Sequence, residues 1–272
     1  MSRSRRFGPS MMQHSTRSRR AGWLRAGVFG ALALISSTLG VSVAVRAERV
    51  QLELVLALDA SLSVSDEEFA LQLHGLAEAF RNEAVVAAIR AAGDHGIAVL
   101  LLQWSDRAEQ TVAVDWTAVR DAVGARALAE KIGQAPRAHS GAGTAIGRAL
   151  ETAIPLFRMN GFEGDRKVID LSGDGVDNRG PLPDKIRRIA VAAGITVNAL
   201  AILNENRFLD RYYERNVIGG TGAFVMTAVD YRDFAVAIVR KLIREISDQP
   251  LAERSPDIGH GLAAASLPNS EP

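Results

Sequence analysis

The chain has 272 residues, of which 47% are hydrophobic and 23% are charged, a composition typical of globular proteins. It contains no cysteine, which excludes a disulfide, a zinc–thiolate site and a thiol nucleophile. Of the 32 basic residues eight precede Glu48, whereas all 31 acidic residues lie at or after it. The remainder has 24 basic and 31 acidic residues, a formal net charge of −7, which argues against a nucleic-acid partner.

Residues 1–47 have the layout of an export signal. An arginine-rich start is followed by an apolar run over residues 26–45 and by the small-x-small site Val45-Arg46-Ala47. The pair Arg19-Arg20 hints at twin-arginine export, but its spacing to the following apolar residues is imperfect, so Sec export stays open. We predict a signal peptide over 1–47 and a periplasmic or secreted protein. Because the apolar run approaches the roughly 20 residues that span a bilayer, an inner-membrane anchor over 26–45 is the alternative.

Apolar runs bounded by turn residues predict the strands. The first run is almost continuous, as expected for a strand buried on both faces, and the third is close enough to the second to pair with it as an antiparallel edge. The predicted strands cover residues 52–58, 97–104, 110–114, 167–171, 195–203 and 223–227.

Helical periodicity fills the intervals between these strands. Ser65 and Glu68 form a capping-box pattern at the start of a helix that is expected to run to about residue 92. Further helices are predicted over 117–132, from Ile146 onwards, from Pro183 to a stop at Gly194, and from a cap at Asp230. Residues 208–216 fit either a short helix or an ordered loop, and residues 248–272 are predicted to be a disordered tail.

Strands that alternate with helices predict an α/β fold. We expect a Rossmann-like, doubly wound and mostly parallel sheet with one antiparallel edge strand and helices on both faces. One domain over residues 48–247 accounts for all of these elements. In such sheets ligands bind beyond the carboxyl ends of the strands, so a binding site is expected in the loops that follow the strands.

The first of these loops carries oxygen ligands on alternate residues. Asp59, Ser61 and Ser63 follow the first apolar run directly, and alternate residues of an extended segment point the same way. One carboxylate and two hydroxyls that converge suit a small divalent cation. A polar turn, with a serine capping the next helix, is the alternative interpretation of the same three residues.

Two further loops offer one ligand each. Thr144 lies in a small-residue loop at a helix start, where a helix cap is the alternative role. Asp174 follows a buried strand within an Asp-Gly turn pattern. The neighbouring Asp177 and Asn178 fit no calcium-loop spacing, and we assign both to solvent.

The order Asp-x-Ser-x-Ser, then Thr, then Asp, on a parallel α/β frame, resembles the von Willebrand factor A (VWA) domain and its metal-ion-dependent adhesion site, and in particular an exported bacterial branch of that superfamily. The resemblance implies a metal site formed by Asp59, Ser61, Ser63, Thr144 and Asp174. The implied ion is Mg²⁺, with Mn²⁺ and Ca²⁺ as alternatives. The implied partner is a protein or peptide that supplies a carboxylate to the ion, and a membrane is involved only if the leader is retained.

Two other function classes stay open at this stage. A metal-dependent phosphohydrolase would use Asp59 as its nucleophile, but that chemistry calls for Asp-x-Asp and Ser61 stands at the second position. A purely structural module would leave the site empty. We expect a binding domain and not an enzyme. Phe208, Tyr212 and Tyr213 fit either core packing or a partner surface near the site.

Overall fold

The computed structural model describes residues 46–158 and 160–247. All of the described residues lie in one compact unit of the chain. The predicted signal peptide, apart from its last two residues, and the predicted tail lie outside the described residues. The division into a leader, a domain over 48–247 and a tail therefore stays a prediction.

A single sheet organises the described part of the chain. The strands are β1 (Glu48–Asp59), β2 (Ile97–Trp104), β3 (Gln110–Val119), β4 (Phe162–Gly173), β5 (Ile195–Ile202) and β6 (Val225–Ala228). Their order in the sheet is β3-β2-β1-β4-β5-β6, and neighbours run parallel except for the antiparallel pair β2 and β3. The prediction of a Rossmann-like, mostly parallel sheet with one antiparallel edge is thereby confirmed.

Helices cover both faces of the sheet, as the doubly wound fold requires. Along β1, Leu54 and Leu56 contribute to one hydrophobic cluster and Val55 and Ala57 to the other, because alternate side chains point to opposite faces. The cluster of Leu54 holds α1 (Asp66–Arg81), α2 (Glu83–Ala91), α3 (Ala122–Gly133) and α7 (Phe234–Ser247). The cluster of Val55 holds α4 (Ile146–Leu156), α5 (Pro183–Ala192) and α6 (Leu209–Asn216).

Two helix predictions were wrong at their boundaries. The segment 117–119 belongs to β3 and pairs with β2, where Val119 lies opposite Ile97, so α3 begins only after Asp121, whose side chain caps it. Strand pairing thus overrides the helical spacing of these residues. The predicted helix from Ser65 to residue 92 is two helices, because Asn82 is extended and caps α2 through its side chain. The capping box of Ser65 and Glu68 is confirmed.

The order in which strands are added to the sheet changes direction between β1 and β4, although these two strands run parallel. From β1 the chain passes to β2 and β3 on one side, and it later returns to β4, β5 and β6 on the other. Loops diverge at such a switch point and leave a crevice beyond the carboxyl ends of the two strands. Asp59 ends β1 and Asp174 follows β4 at this crevice. No helix among the described residues is long and apolar enough to cross a membrane.

Candidate metal centre

Asp59 is the last residue of β1 and is fully buried. Its Oδ1 accepts a hydrogen bond of 2.8 Å from the backbone N–H of Ser61, which fixes the turn at the end of β1. Its Oδ2 is buried and has no hydrogen-bond partner among the described residues. Space beside this oxygen depends on Gly173, where a Cβ would lie only 2.8 Å from Oδ2. Asp59 therefore presents one free carboxylate oxygen at a position that is kept open by a glycine.

A chain of polar contacts links the loop after β1 to the loop after β4. The hydroxyl oxygens of Ser61 and Ser63 are 3.1 Å apart, and the Ser63 hydroxyl donates to Asp174 Oδ1 at 3.0 Å. Asp174 Oδ2 accepts a 2.9 Å hydrogen bond from the hydroxyl of Tyr231. The Ser63 hydroxyl thus points towards the second carboxylate, and the Ser61 hydroxyl is linked to it through Ser63. Neither serine caps α1, whose N-cap residue is Ser65.

Thr144 reaches the same crevice from the loop before α4. It is 6% exposed, and α4 has Ala145 as its N-cap residue with no side-chain cap. The capping role considered for Thr144 is therefore wrong. A Cβ on Gly175 would lie 3.4 Å from the Thr144 hydroxyl oxygen, so Thr144 lies beside the residue that follows Asp174. All five predicted ligand residues accordingly border one crevice at the switch point.

Asp177 and Asn178, which we assigned to solvent, hold the Thr144 loop in place. The Asn178 side-chain oxygen accepts from the Thr144 N–H at 2.9 Å, and the Asn178 N–H donates to the Thr144 carbonyl at 3.0 Å. Asp177 Oδ1 accepts from the Gly147 N–H at 3.2 Å, in the first turn of α4. The solvent assignment was wrong because turn-forming residue types reveal nothing about contacts with a distant loop.

Arg137 shapes the loop after β1 and was missed by sequence reasoning. Its guanidinium donates to the carbonyls of Ala60 at 3.1 Å, Ser61 at 2.8 Å and Val64 at 2.7 Å. These carbonyls face Arg137, which leaves the side-chain hydroxyls as the oxygens that this segment offers to the crevice. A lone arginine in a loop of small residues carries no sequence signal for this role. Its remaining contacts are to Asp66, to the His139 carbonyl and to the ring of Phe69.

Three tyrosine side chains form hydrogen bonds with the loop after β4. Tyr213 is fully buried and donates to the Gly175 carbonyl at 3.3 Å, while the Tyr212 oxygen accepts from the Asp177 N–H at 3.2 Å. Packing is therefore the role of these two tyrosines. Phe208 lies 57% exposed at the start of α6 and stays available to a partner. Tyr231, whose hydroxyl bonds Asp174, was not identified from the sequence.

Two carboxylates share this buried site without an adjacent counterion. Burial first and the charge of Asp174 second raise the pKa of Asp59 to about 7. Burial also raises the pKa of Asp174, against the hydrogen bonds from Tyr231 and Ser63. Burial followed by the charge of Asp174 raises the pKa of the Tyr231 hydroxyl, so it remains a donor. The charge of Arg137 lowers the pKa of Asp59 but does not offset the effect of burial.

These groups fit a hard divalent cation. Two carboxylates and three hydroxyls are oxygen ligands of the kind that Mg²⁺, Mn²⁺ and Ca²⁺ take in proteins. Within residues 46–158 and 160–247 there is no group of three or more His, Cys, Asp or Glu side chains arranged to hold a metal. The five predicted ligands include no sulfur and no imidazole, so the donor set favours a hard ion.

Residues 49–250 match the family described as "Protein of unknown function (DUF1194)". The chain belongs to this family. No curated protein matches the sequence. The chain has the VWA fold, because a solved von Willebrand factor type A structure matches about three quarters of its length.

Three solved structures illustrate the likeness. Proximal thread matrix protein 1 from the mussel byssus, with a zinc-occupied metal-ion-dependent adhesion site, is 18% identical over 73% of this chain and 48% of that chain, with a TM-score of 0.57. A von Willebrand factor type A protein from Catenulispora acidiphila is 18% identical over 74% and 43%, with a TM-score of 0.51. The pilus adhesin SpaC from Lactobacillus rhamnosus GG is 15% identical over 72% and 30%, with a TM-score of 0.51. The chain spans about half or less of the length of each.

Proposed function

We propose that this protein is an exported VWA domain that binds a divalent cation through Asp59, Ser61, Ser63, Thr144 and Asp174, and uses the ion to bind a carboxylate of a protein or peptide partner. The single observation that carries the proposal is the buried, unpartnered Oδ2 of Asp59 beside the second carboxylate of Asp174. Two buried carboxylates are costly without a cation between them, and a divalent ion offsets both charges.

The proposed ion is Mg²⁺, with Mn²⁺ or Ca²⁺ as alternatives, because hydroxyl and carboxylate oxygens suit all three. The mussel protein with zinc in its adhesion site supports the idea that a fold of this kind holds a divalent ion. When bound, the ion supplies an electrophilic position for a partner's carboxylate. The chain's own residues orient the oxygens: Arg137 holds the loop after β1, and Asn178 holds the loop of Thr144.

Binding and not catalysis is the proposed activity. Asp59 is fully buried and one of its oxygens is already engaged by the Ser61 N–H, so it is poorly placed as a nucleophile towards a phosphate ester. Ser61 also occupies the place where a phosphohydrolase of the Asp-x-Asp type has its second acid. Hydrolysis of a generic phosphate ester that disappears in Asp59→Asn would favour the enzyme over the binding domain.

Calorimetric titration of the purified, metal-free protein with Mg²⁺, Mn²⁺ and Ca²⁺ tests the proposed site. We expect one binding event per chain for at least one ion, weakened at least tenfold by Ser61→Ala and by Thr144→Ala, each of which removes only an oxygen ligand. Thr117→Ala, at the end of edge strand β3, is the matched control and should bind like the unchanged protein. Equal affinity in all three variants would place the ion elsewhere.

A further inference from the structure

The loops around the proposed metal site carry exposed apolar side chains. Leu62 is 63% exposed, Val176 is 39% exposed and Val229 is 71% exposed. Single exposed apolar residues are ordinary on protein surfaces, so exposure alone says little. What distinguishes these three is their place on the chain. Leu62 lies between Ser61 and Ser63, and the other two lie close in sequence to residues that contact the site.

The separations along the chain are short. Val176 is two residues after Asp174, and Val229 is two residues before Tyr231, whose hydroxyl bonds Asp174. Two extended residues span about 7 Å, so Val176 lies within that distance of Asp174, and Val229 lies within it of the backbone of Tyr231. Three different loops at this edge of the sheet therefore each place an apolar side chain in solvent.

Four arginines are exposed on the loops of the same sheet edge. Within the described part of the chain, none of their guanidinium groups forms an ion pair or a hydrogen bond. They follow β2, β4, β5 and β6, and they are Arg107, Arg179, Arg207 and Arg232. Because guanidinium groups bind carboxylates in bidentate fashion, unpaired arginines at a binding edge favour acidic partners.

Three acidic side chains of the neighbouring segments accept hydrogen bonds from backbone donors and, among the described residues, form no ion pair with the four arginines. The Asp106 carboxylate accepts a 2.6 Å hydrogen bond from the N–H of Arg107. After β6, the Asp230 carboxylate accepts from the N–H of Asp233 at 3.0 Å, and the Asp233 carboxylate accepts from the N–H of Val229 at 3.0 Å. Glu205 is exposed and makes no such contact. The arginines thus remain available although the domain over residues 48–247 is acidic by composition.

Two of these arginines lie close to loops that carry predicted metal ligands, as distances from neighbouring glycines show. A Cβ on Gly143, the residue before Thr144, would lie 2.7 Å from the Arg179 side chain. A Cβ on Gly180 would lie 3.8 Å from the Arg107 side chain. Arg179 therefore borders the Thr144 loop, and Arg107 borders the segment that follows Arg179.

We infer that these loops form a docking rim for an acidic protein segment whose carboxylates are flanked by apolar side chains. One carboxylate binds the ion, a second is available to an arginine such as Arg179, and the flanking apolar groups cover Leu62, Val176 and Val229. This inference rests on the proposed function, since the ion supplies the central contact. It adds the composition of the partner, which the five metal ligands alone do not specify.

Three capped peptides test the rim with the purified protein in Mg²⁺: Leu-Asp-Leu-Glu-Leu, Gly-Asp-Gly-Glu-Gly and Leu-Asn-Leu-Gln-Leu. We expect the first to bind about tenfold tighter than either of the others, equivalent to about 1.4 kcal/mol. Leu62→Ser should remove the preference for leucine over glycine, and Arg179→Ser should weaken both acidic peptides. Val123→Ser, an exposed valine on α3 with 67% exposure, is the matched control and should change neither.

The outcomes separate the two proposals. Equal binding of the leucine and glycine acidic peptides, or no binding of either by protein that does bind Mg²⁺, overturns the rim while the metal site stands. An unchanged leucine preference in Leu62→Ser together with unchanged binding in Arg179→Ser also overturns it. Peptide binding that persists in EDTA, or protein that binds none of the three ions, contradicts the proposed function itself.

Discussion

Arg137 offers the most informative single perturbation outside the proposed ligands. Its side chain is 15% exposed, and it donates hydrogen bonds to three carbonyls of the loop that carries Ser61 and Ser63. Replacement by alanine leaves these carbonyls without their charged donor. At roughly 1–1.5 kcal/mol per bond, reduced because water reaches part of the site, the expected loss is about 2–4 kcal/mol of unfolding free energy. The ion pair with Asp66 adds little, since Asp66 is 90% exposed.

The assay is urea unfolding of the metal-free protein, followed by the same measurement with Mg²⁺. Asp66→Ala is the control, because it removes the exposed ion pair and one acidic side chain of the first turn of α1 but leaves the three carbonyl contacts, and it should cost less than about 1 kcal/mol. Arg137→Lys keeps the charge but loses the planar fork, so it should fall between the two. We also expect a smaller Mg²⁺-induced stabilisation in Arg137→Ala. An Arg137→Ala protein as stable as the unchanged one, or no less stable than Asp66→Ala, would refute the reasoning.

Three further predictions concern the crevice, the core and the leader. Gly173→Ala should lower the unfolding free energy measured in urea by about 1–3 kcal/mol, because the added Cβ would lie 2.8 Å from Asp59 Oδ2. Gly133→Ala on α3 is the control and should not destabilise, because the added Cβ would have only Ala77 near it, at 3.8 Å. Burial raises the pKa of Glu245 from 4.5 to about 8, so the folded state binds an extra proton and stability should fall as pH rises through that range. Glu245→Gln should flatten this fall when unfolding free energies of both proteins are measured at several pH values, and an unchanged slope would show that Glu245 is not its source. Amino-terminal sequencing of the exported protein should begin at Glu48, whereas a membrane-bound product that retains residues 26–45 would support the anchor.

Much of the fold was predictable because its strands are buried on both faces. The apolar run over residues 97–104 predicted both ends of β2 correctly. Pro183 and Gly194 correctly predicted the start of α5 and the turn after it. The errors lie where tertiary contacts decide. Val119 is held in β3 by pairing with Ile97, and Asn82 divides one periodic pattern into two helices.

The candidate site was predictable only in part, for a related reason. Asp59, Ser61 and Ser63 are neighbours on the chain, so their spacing alone suggested convergence. Arg137, Tyr231 and Asn178 act through contacts with distant loops, and their residue types carry no sign of it. The clearest indication of the site, the unpartnered Oδ2 of Asp59, exists only in three dimensions.

Thermal unfolding with Mg²⁺ or EDTA tests the central claim most directly. If the ion binds only the folded state, Mg²⁺ at about 100 times its dissociation constant should stabilise the protein by about 2.7 kcal/mol. Asp59→Ala should abolish most of this shift and raise stability in EDTA, since it relieves repulsion with Asp174. Asp94→Ala, an exposed aspartate before β2, should keep the full shift. A melting temperature of the unchanged protein that ignores millimolar Mg²⁺, Mn²⁺ and Ca²⁺ alike would contradict the metal site, and so would a full shift in Asp59→Ala.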